Sequence, residues 1–402
     1  MREKLHSKRW AMRLIGLMGL IGLMGLMGCS SDDDPEPERN SVQVNGYVTN
    51  YNEASETNRG REMTRGWTPP AGYNIEEAMA DKPISVFFAR EQKDGETSTD
   101  YADNMVEEFF YKSNGNWRVS KKDLEKRTYY LYGYIPHEDY VEPTIEHLPG
   151  DGKTYADGAV LTLEKLNTVM ASDLCVVIGA KNGPSADNDG GLTRGQFAYE
   201  AETTGSNSTG SNNVYLLFDH MYAAMRFKIK VYGEYNDLRT IKLKSLSLQA
   251  FKTGESGDEP TAKKMDAVIT LTANNTGADP ITRIDFTPNG TDTGPGTFYT
   301  NEAGEELNTV AKTFQGNFMP EGVSKVKLIS TYDVYDKNKS TEHPDGNLIR
   351  KDCSATNMLD LTQLFTGKAQ RGYRYTINMT IQPTYLYMLS EPDLDNPTVE
   401  VE

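Results

Sequence analysis

Three cysteines, five histidines and a surplus of carboxylates are the groups in this chain whose chemistry reaches beyond packing. Cys29 follows Leu26-Met27-Gly28 at the end of an apolar run, which sets its thiol beside the bond that a signal-removing protease would cut. Beyond that run lie His137, His147, His220 and His343, and no two are four residues apart, the spacing that sets two imidazoles on one helical face for zinc. His137-Glu138-Asp139 is the densest group of metal-capable side chains, but it follows Pro136 in a polar turn and reads as a solvated loop. Asp187-Asn188-Asp189-Gly190 offers hard oxygens around a glycine, as calcium prefers. The twelfth position of an EF-hand register there falls on Ala198 or Gln196, so the bidentate glutamate is missing. There is no Gly-x-Ser-x-Gly elbow, no glycine-rich phosphate loop and no cysteine set beside a histidine in the sequence. A glycosidase would need two of the abundant carboxylates across a cleft, and no motif marks such a pair. The expectation is a protein with no catalytic residues, no metal and no cofactor.

The start of the chain directs export. Arg2, Lys4, Lys8, Arg9 and Arg13 precede an apolar core from Leu14 to Met27, shorter than the ~20 residues of a comfortable membrane span. Leu26-Met27-Gly28-Cys29 resembles the lipobox of bacterial lipoproteins, which implies cleavage before Cys29 and acylation of its thiol and new amino group. Several acyl chains, at ~0.8 kcal/mol per buried methylene, make a firm anchor. Ser30, Ser31, Asp32, Asp33, Asp34 and Pro35-Glu36-Pro37-Glu38 are too polar to bury anything and are expected to form a tether over 29–40. A serine and acidic run in this place also resembles the signal for the outer face of the outer membrane. Residues 1–28 are thus read as a lipoprotein signal peptide, and the protein as surface-exposed.

With 42 basic against 58 acidic side chains the net charge is −16, which repels a phosphate backbone and argues against nucleic acid as a partner. In an oxidising compartment Cys175 and Cys353 are a candidate disulfide, although Cys175, inside Leu174-Cys175-Val176-Val177-Ile178, serves equally as a small buried residue.

These groups need a scaffold, and the hydrophobic pattern predicts an all-β one. Tyr373, Tyr375, Ile377, Met379 and Ile381 alternate with polar residues, as do Met225, Phe227, Ile229 and Val231. Further strands are expected at 84–88, 109–111, 129–134, 174–178, 241–248, 268–271 and 326–329, with short helices at 75–80 and 120–126. Gly, Ser, Asn, Asp and Thr dominate 181–213, a composition that suits a loop or linker. This places an N-terminal β-sandwich domain at 41–210 and a C-terminal one at 211–402. The 23 tyrosines include Tyr129-Tyr130-Leu131-Tyr132-Gly133-Tyr134 and Tyr385-Leu386-Tyr387, which suit half-buried strands or, if exposed, a platform for sugars.

Several strings, in order along the chain, resemble the fimbrillin family of surface fimbrial subunits and accessory proteins of Gram-negative anaerobes. They are Lys82-Pro83-Ile84-Ser85-Val86-Phe87-Phe88, Asn114-Gly115-Asn116-Trp117, Leu131-Tyr132-Gly133-Tyr134-Ile135-Pro136, Ala171-Ser172-Asp173-Leu174, Leu217-Phe218-Asp219-His220 and Gly372-Tyr373-Arg374-Tyr375-Thr376-Ile377. The resemblance implies two tandem transthyretin-like β-sandwich domains after the signal peptide, and polymerisation by strand donation. In the family an arginine-specific protease removes an amino-terminal strand and the carboxy-terminal strand of another subunit fills the groove. This chain supplies a candidate for each part. Val42, Val44 and Val48 belong to an alternating removable strand; Arg59, Arg61 and Arg65 are candidate cleavage positions; Tyr385, Tyr387, Leu389, Val399 and Val401 are candidate donor-strand residues. His220 occupies a position common in the family and is read as structural. Partners so implied are other fimbrial subunits, the outer membrane through the lipid, and a host glycan or protein ligand. The alternative is a surface lipoprotein that binds glycan or mediates adhesion without polymerising. Retention of the lipid and the Val42 strand would make the chain an anchor or terminator, and their loss a stalk or tip subunit.

Overall fold

The computed structural model describes residues 43–49, 51–54, 82–90, 95, 106–113, 116–118, 127–138, 141–168, 172–182, 192–201, 213–254, 257–274, 276, 278–365 and 367–382. All of these fall within one compact unit. The fold is all-β, as the patterning predicts. The first strands are β1 (Gln43–Val48), β2 (Asn52–Ala54), β3 (Ile84–Arg90), β4 (Val106–Ser113), β5 (Asn116–Arg118), β6 (Arg127–Ile135), β7 (Glu142–His147), β8 (Gly158–Asn167), β9 (Cys175–Asn182), β10 (Ala198–Ala201) and β11 (Asn213–His220). After them come β12 (Ala223–Val231), helix α1 (Gly233–Leu238), β13 (Arg239–Gly254), β14 (Gly257–Pro260), β15 (Lys264–Thr272) and β16 (Ile281–Pro288). The chain continues through β17 (Gly296–Leu307), β18 (Lys312–Met319), β19 (Val323–Asp336), β20 (Leu348–Asp360), helix α2 (Leu361–Leu364) and β21 (Tyr373–Ile381). The helices expected at 75–80 and 120–126 lie outside the described residues.

Two hydrophobic cores organise these strands. The first lies between an eight-stranded sheet, ordered β10-β6-β3-β4-β5-β1-β11-β9, and a four-stranded sheet, β16-β15-β8-β7. A short pairing of β6 with β9, Tyr134 with Val176 and Ile135 with Cys175, joins the larger sheet back on itself and covers edges that would otherwise stand open. The second core lies between β18-β12-β21-β2 and β14-β13-β19-β20, with β17 also paired to β13.

The alternation read in the sequence corresponds to real faces. Met225, Phe227, Ile229 and Val231 point into the second core, while Lys230 stays exposed. Across the same sheet Tyr375 and Ile377 are buried while Asn378 and Thr380 face out.

A boundary at residue 210 does not separate the cores. β11 belongs to the first sheet, and β15 and β16 return to pair with β8, bringing Ala267, Ile269, Leu271 and Ile281 into the first core. Nor is 181–213 a plain linker: it holds β10, whose Tyr199 and Ala201 are buried in the first core, and strand partners are chosen by apolar faces that lie far away in sequence. Gly158, with φ of +142°, shows how close that return is: a Cβ there would stand 2.1 Å from the Leu271 carbonyl oxygen.

Candidate functional site

The segment from Gln43 to Ala54 serves both cores. β1 is an interior strand, parallel to β11 in a register that sets Val44 beside Val214 and Val48 beside Phe218. Its other edge meets β5 through Gln43–Arg118 and Val44–Trp117. Val44 and Val48 are buried in the first core, and the burial of each valine is worth roughly 1.5–3 kcal/mol. Four residues on, β2 adds a parallel edge strand to β21 in the second core's sheet, with Asn52 beside Tyr373. Backbone hydrogen bonds fix the crossing at both ends, from the Thr49 N–H to the Phe218 carbonyl (3.0 Å) and from the Asn52 N–H to the Gly372 carbonyl (2.9 Å).

Beneath this crossing is a buried polar network. The Thr49 hydroxyl donates to Asp219 Oδ1 at 2.6 Å, and the Tyr51 hydroxyl donates to Asp173 Oδ1 at 2.5 Å. His220 Nε2 lies 2.7 Å from the Thr49 carbonyl oxygen and Nδ1 lies 2.9 Å from Asp173 Oδ1. The Tyr51 ring stacks on the imidazole with centroids 3.6 Å apart, and the Arg374 guanidinium sits over the Tyr51 ring. Cys175 Sγ is 3.2 Å from His220 Nδ1. Asp219 Oδ1 also accepts the His220 backbone N–H, and Asp219 Oδ2 accepts Arg371 Nη1 at 3.0 Å. Arg371 reaches on to Asp279 through its other nitrogen. Burial works against the charge of Arg371, but Asp219 and Asp279 outweigh it and hold its pKa above the ordinary value. A guanidinium between two carboxylates, one fully buried, is the arrangement in which buried charges are tolerated.

The sequence positions this network through the ends of apolar runs. Asp173 opens the run Leu174–Ile178, Asp219 and His220 close the run Val214–Phe218, and Arg371 precedes β21. Where these strands end, polar side chains meet at one level of the fold. Three strings that carried the family resemblance, around Asp173, around Asp219-His220 and around Arg374, therefore converge in space. His220 is the centre of the network. Thr49, Tyr51, Asp173, Asp219, Asp279 and Arg371 escaped sequence reasoning as a group, because up to 171 residues separate the partners.

The other expected residues fall as follows. Val44 and Val48 form β1; Val42, Cys29, Arg59, Arg61, Arg65, Tyr385, Tyr387, Leu389, Val399 and Val401 lie outside the described residues, as does Asp187-Asn188-Asp189-Gly190. Cys175 and Cys353 form no disulfide: Cys175 is buried in the first core, whereas Cys353, on β20, packs against the second. Cys175 is a small buried residue of its apolar run, buried together with Leu174, Val176, Val177 and Ile178. Tyr129, Tyr132 and Tyr134 are interior, and the Tyr132 hydroxyl donates to the Tyr155 carbonyl, so this run offers no platform for sugars. His137 is half-buried beside the Tyr134 hydroxyl (3.3 Å), while His147 and His343 are exposed.

No family model matches the chain, and no curated protein does. Solved structures do. One is a Bacteroides uniformis protein that bears a provisional cell-adhesion name, 11% identical, with a TM-score of 0.35 over 86% of this chain and 94% of that one. A fimbrial protein from Bacteroides vulgatus is 13% identical, with a TM-score of 0.35 over 85% and 95% of the two chains. A fimbrial protein from Bacteroides ovatus is 11% identical, with a TM-score of 0.29 over 86% of this chain and 51% of that one. At these values the likenesses assign no residue a role.

Proposed function

We propose that this chain is a non-enzymatic structural or accessory subunit of a cell-surface fimbria, exported as a lipoprotein and assembled by exchange of its amino-terminal strand. The observation that supports the reading is the placement of β1, an interior strand with buried valines that is the first strand of the described residues. Cleavage after Arg59, Arg61 or Arg65 would free the whole of 43–54. Its departure would leave β5 and β11 facing one another across a gap one strand wide, with unpaired backbone on both sides and apolar pockets where Val44 and Val48 had been. A strand with alternating apolar residues, such as Tyr385, Tyr387 and Leu389 or Val399 and Val401 of another copy, satisfies both needs. It must also bring a carbonyl to His220 Nε2, the role of Thr49 in the intact chain.

Mass spectrometry of material shed from the cell surface tests this. The expected result is a new amino terminus after one of the three arginines, in SDS-resistant ladders that disappear when the chain is truncated after Ile381. A monomer that keeps its acylated Cys29 under all conditions and forms no ladder would overturn it.

A further inference from the structure

We infer that Asp173, Cys175 and His220 form a binding site for one divalent cation of the zinc type. This assignment rests on the buried geometry and is independent of the fimbrial reading. The three side chains are buried and their ligand atoms lie within 4.8 Å of one another. His220 Nδ1 is 2.9 Å from Asp173 Oδ1 and 3.2 Å from Cys175 Sγ, and the sulfur is 3.9 Å from the same carboxylate oxygen. A triangle with these sides has its centre about 2.0 Å from each corner, the length of a zinc–nitrogen or zinc–oxygen bond and a few tenths short of zinc–sulfur. A small outward shift of the ion from that plane lengthens all three together.

Proton bookkeeping points the same way. A backbone carbonyl can only accept, so the contact with Thr49 puts a hydrogen on His220 Nε2. In the neutral ring Nδ1 then turns its lone pair toward a carboxylate and a sulfur, and something positive must lie among them. A proton on Nδ1 serves one contact. A divalent cation serves all three, and with one carboxylate, one thiolate and a neutral imidazole it leaves the buried site without net charge. Asp173 Oδ2 is buried with no hydrogen-bond partner among the described residues, which supplies a fourth donor atom.

The surroundings are those of a metal site as well. A ligating imidazole ordinarily donates its second N–H to a carbonyl or carboxylate, and a ligating carboxylate is itself hydrogen-bonded. Thr49 and Tyr51 fill these two roles here. One sulfur, one nitrogen and one carboxylate favour zinc over calcium or magnesium, which take oxygen. Because both supporting groups come from the amino-terminal segment, the ion and that segment hold each other in place.

The test uses the full secreted chain, refolded with Co²⁺ as a spectroscopic substitute and then challenged with Zn²⁺. The expected result is one cobalt per chain, with a thiolate-to-cobalt band in the near ultraviolet that zinc abolishes. Cys175→Ser should lose that band, and Tyr51→Phe should weaken binding roughly 10–100-fold, the usual range for a supporting contact. Should either variant fail to fold, the melting temperature of the unaltered chain decides: removal of metal by a chelator must lower it. A folded, unaltered chain that takes up no stoichiometric metal, and whose His220 carries hydrogen on both ring nitrogens by ¹⁵N NMR, would overturn the assignment.

Discussion

The two cores are built by different rules. The second draws nearly all its strands from one stretch, 223–381, and takes from outside only the three-residue edge strand β2. The first is assembled from three separate stretches: β1 from the start, the strands β3 to β11, and β15 with β16, which interrupt the second core's sequence. Moreover, its borrowed strand β1 is interior, whereas the second core's borrowed strand lies at an edge. Loss of segment 43–54 therefore opens the first core and only trims the second. A strand must be interior for its exchange to matter, and of β1 and β2 only β1 is interior.

The sharpest way to break this contrast is Val44→Asp, which places a charge where the side chain is 1% exposed. It should cost about 4 kcal/mol or more. Hydrogen exchange should show β9 and β11 losing protection while β13 and β19 keep theirs; equal losses in both would dissolve the asymmetry. The reciprocal change is Leu248→Ala on β13, also 1% exposed, with an expected cost of about 2–5 kcal/mol. Here protection should fall in β13 and β19 first, with β9 and β11 retained.

Alkali supplies a case in which the cores should behave alike. Burial, with help from Glu146, raises the pKa of Tyr155 in the first core to about 12, and burial does the same for Tyr235 in the second. Both phenols ionise more readily in the unfolded chain, so their contribution is complete below pH 10 and is lost as pH rises toward about 12. Each is worth about 2–3 kcal/mol at the end of that range. Tyr155→Phe and Tyr235→Phe should each flatten the alkaline limb of stability by that order, measured as denaturant midpoints between pH 9 and 12. A flattening in one variant alone would show that only that core limits alkaline stability.

Much of the fold was legible because many strands have one wet face. Period-two alternation at Tyr373–Ile381 and Met225–Val231 maps directly onto β21 and β12. β20 was not legible, because none of its thirteen residues is buried and a strand with no buried face leaves no apolar period. Its strand partner among the described residues is β19, and Cys353 and Leu359 are only partly buried against the second core. β8 went unread although Ala159, Leu161 and Leu163 alternate into the first core; its regularity breaks only at Lys165, where φ is positive. The buried network was illegible in principle. Asp173, Cys175 and His220 carry no mutual spacing, and only the folding of two apolar runs side by side brings them within a bond's reach. Polar residues that cap such runs, as Asp173 and Asp219-His220 do, were the available clue.

The position of β1 also sets the order of events during folding. Its hydrogen-bonding partner β11 begins 170 residues later, at Asn213 beside Gln43. β1 can meet β5 once Arg118 has been made, 75 residues on, but its long pairing with β11 must wait for 170 residues to follow. Closing so long a loop is slow, and contacts of this range are made late. A strand whose main pairing forms late is one whose loss undoes few earlier steps.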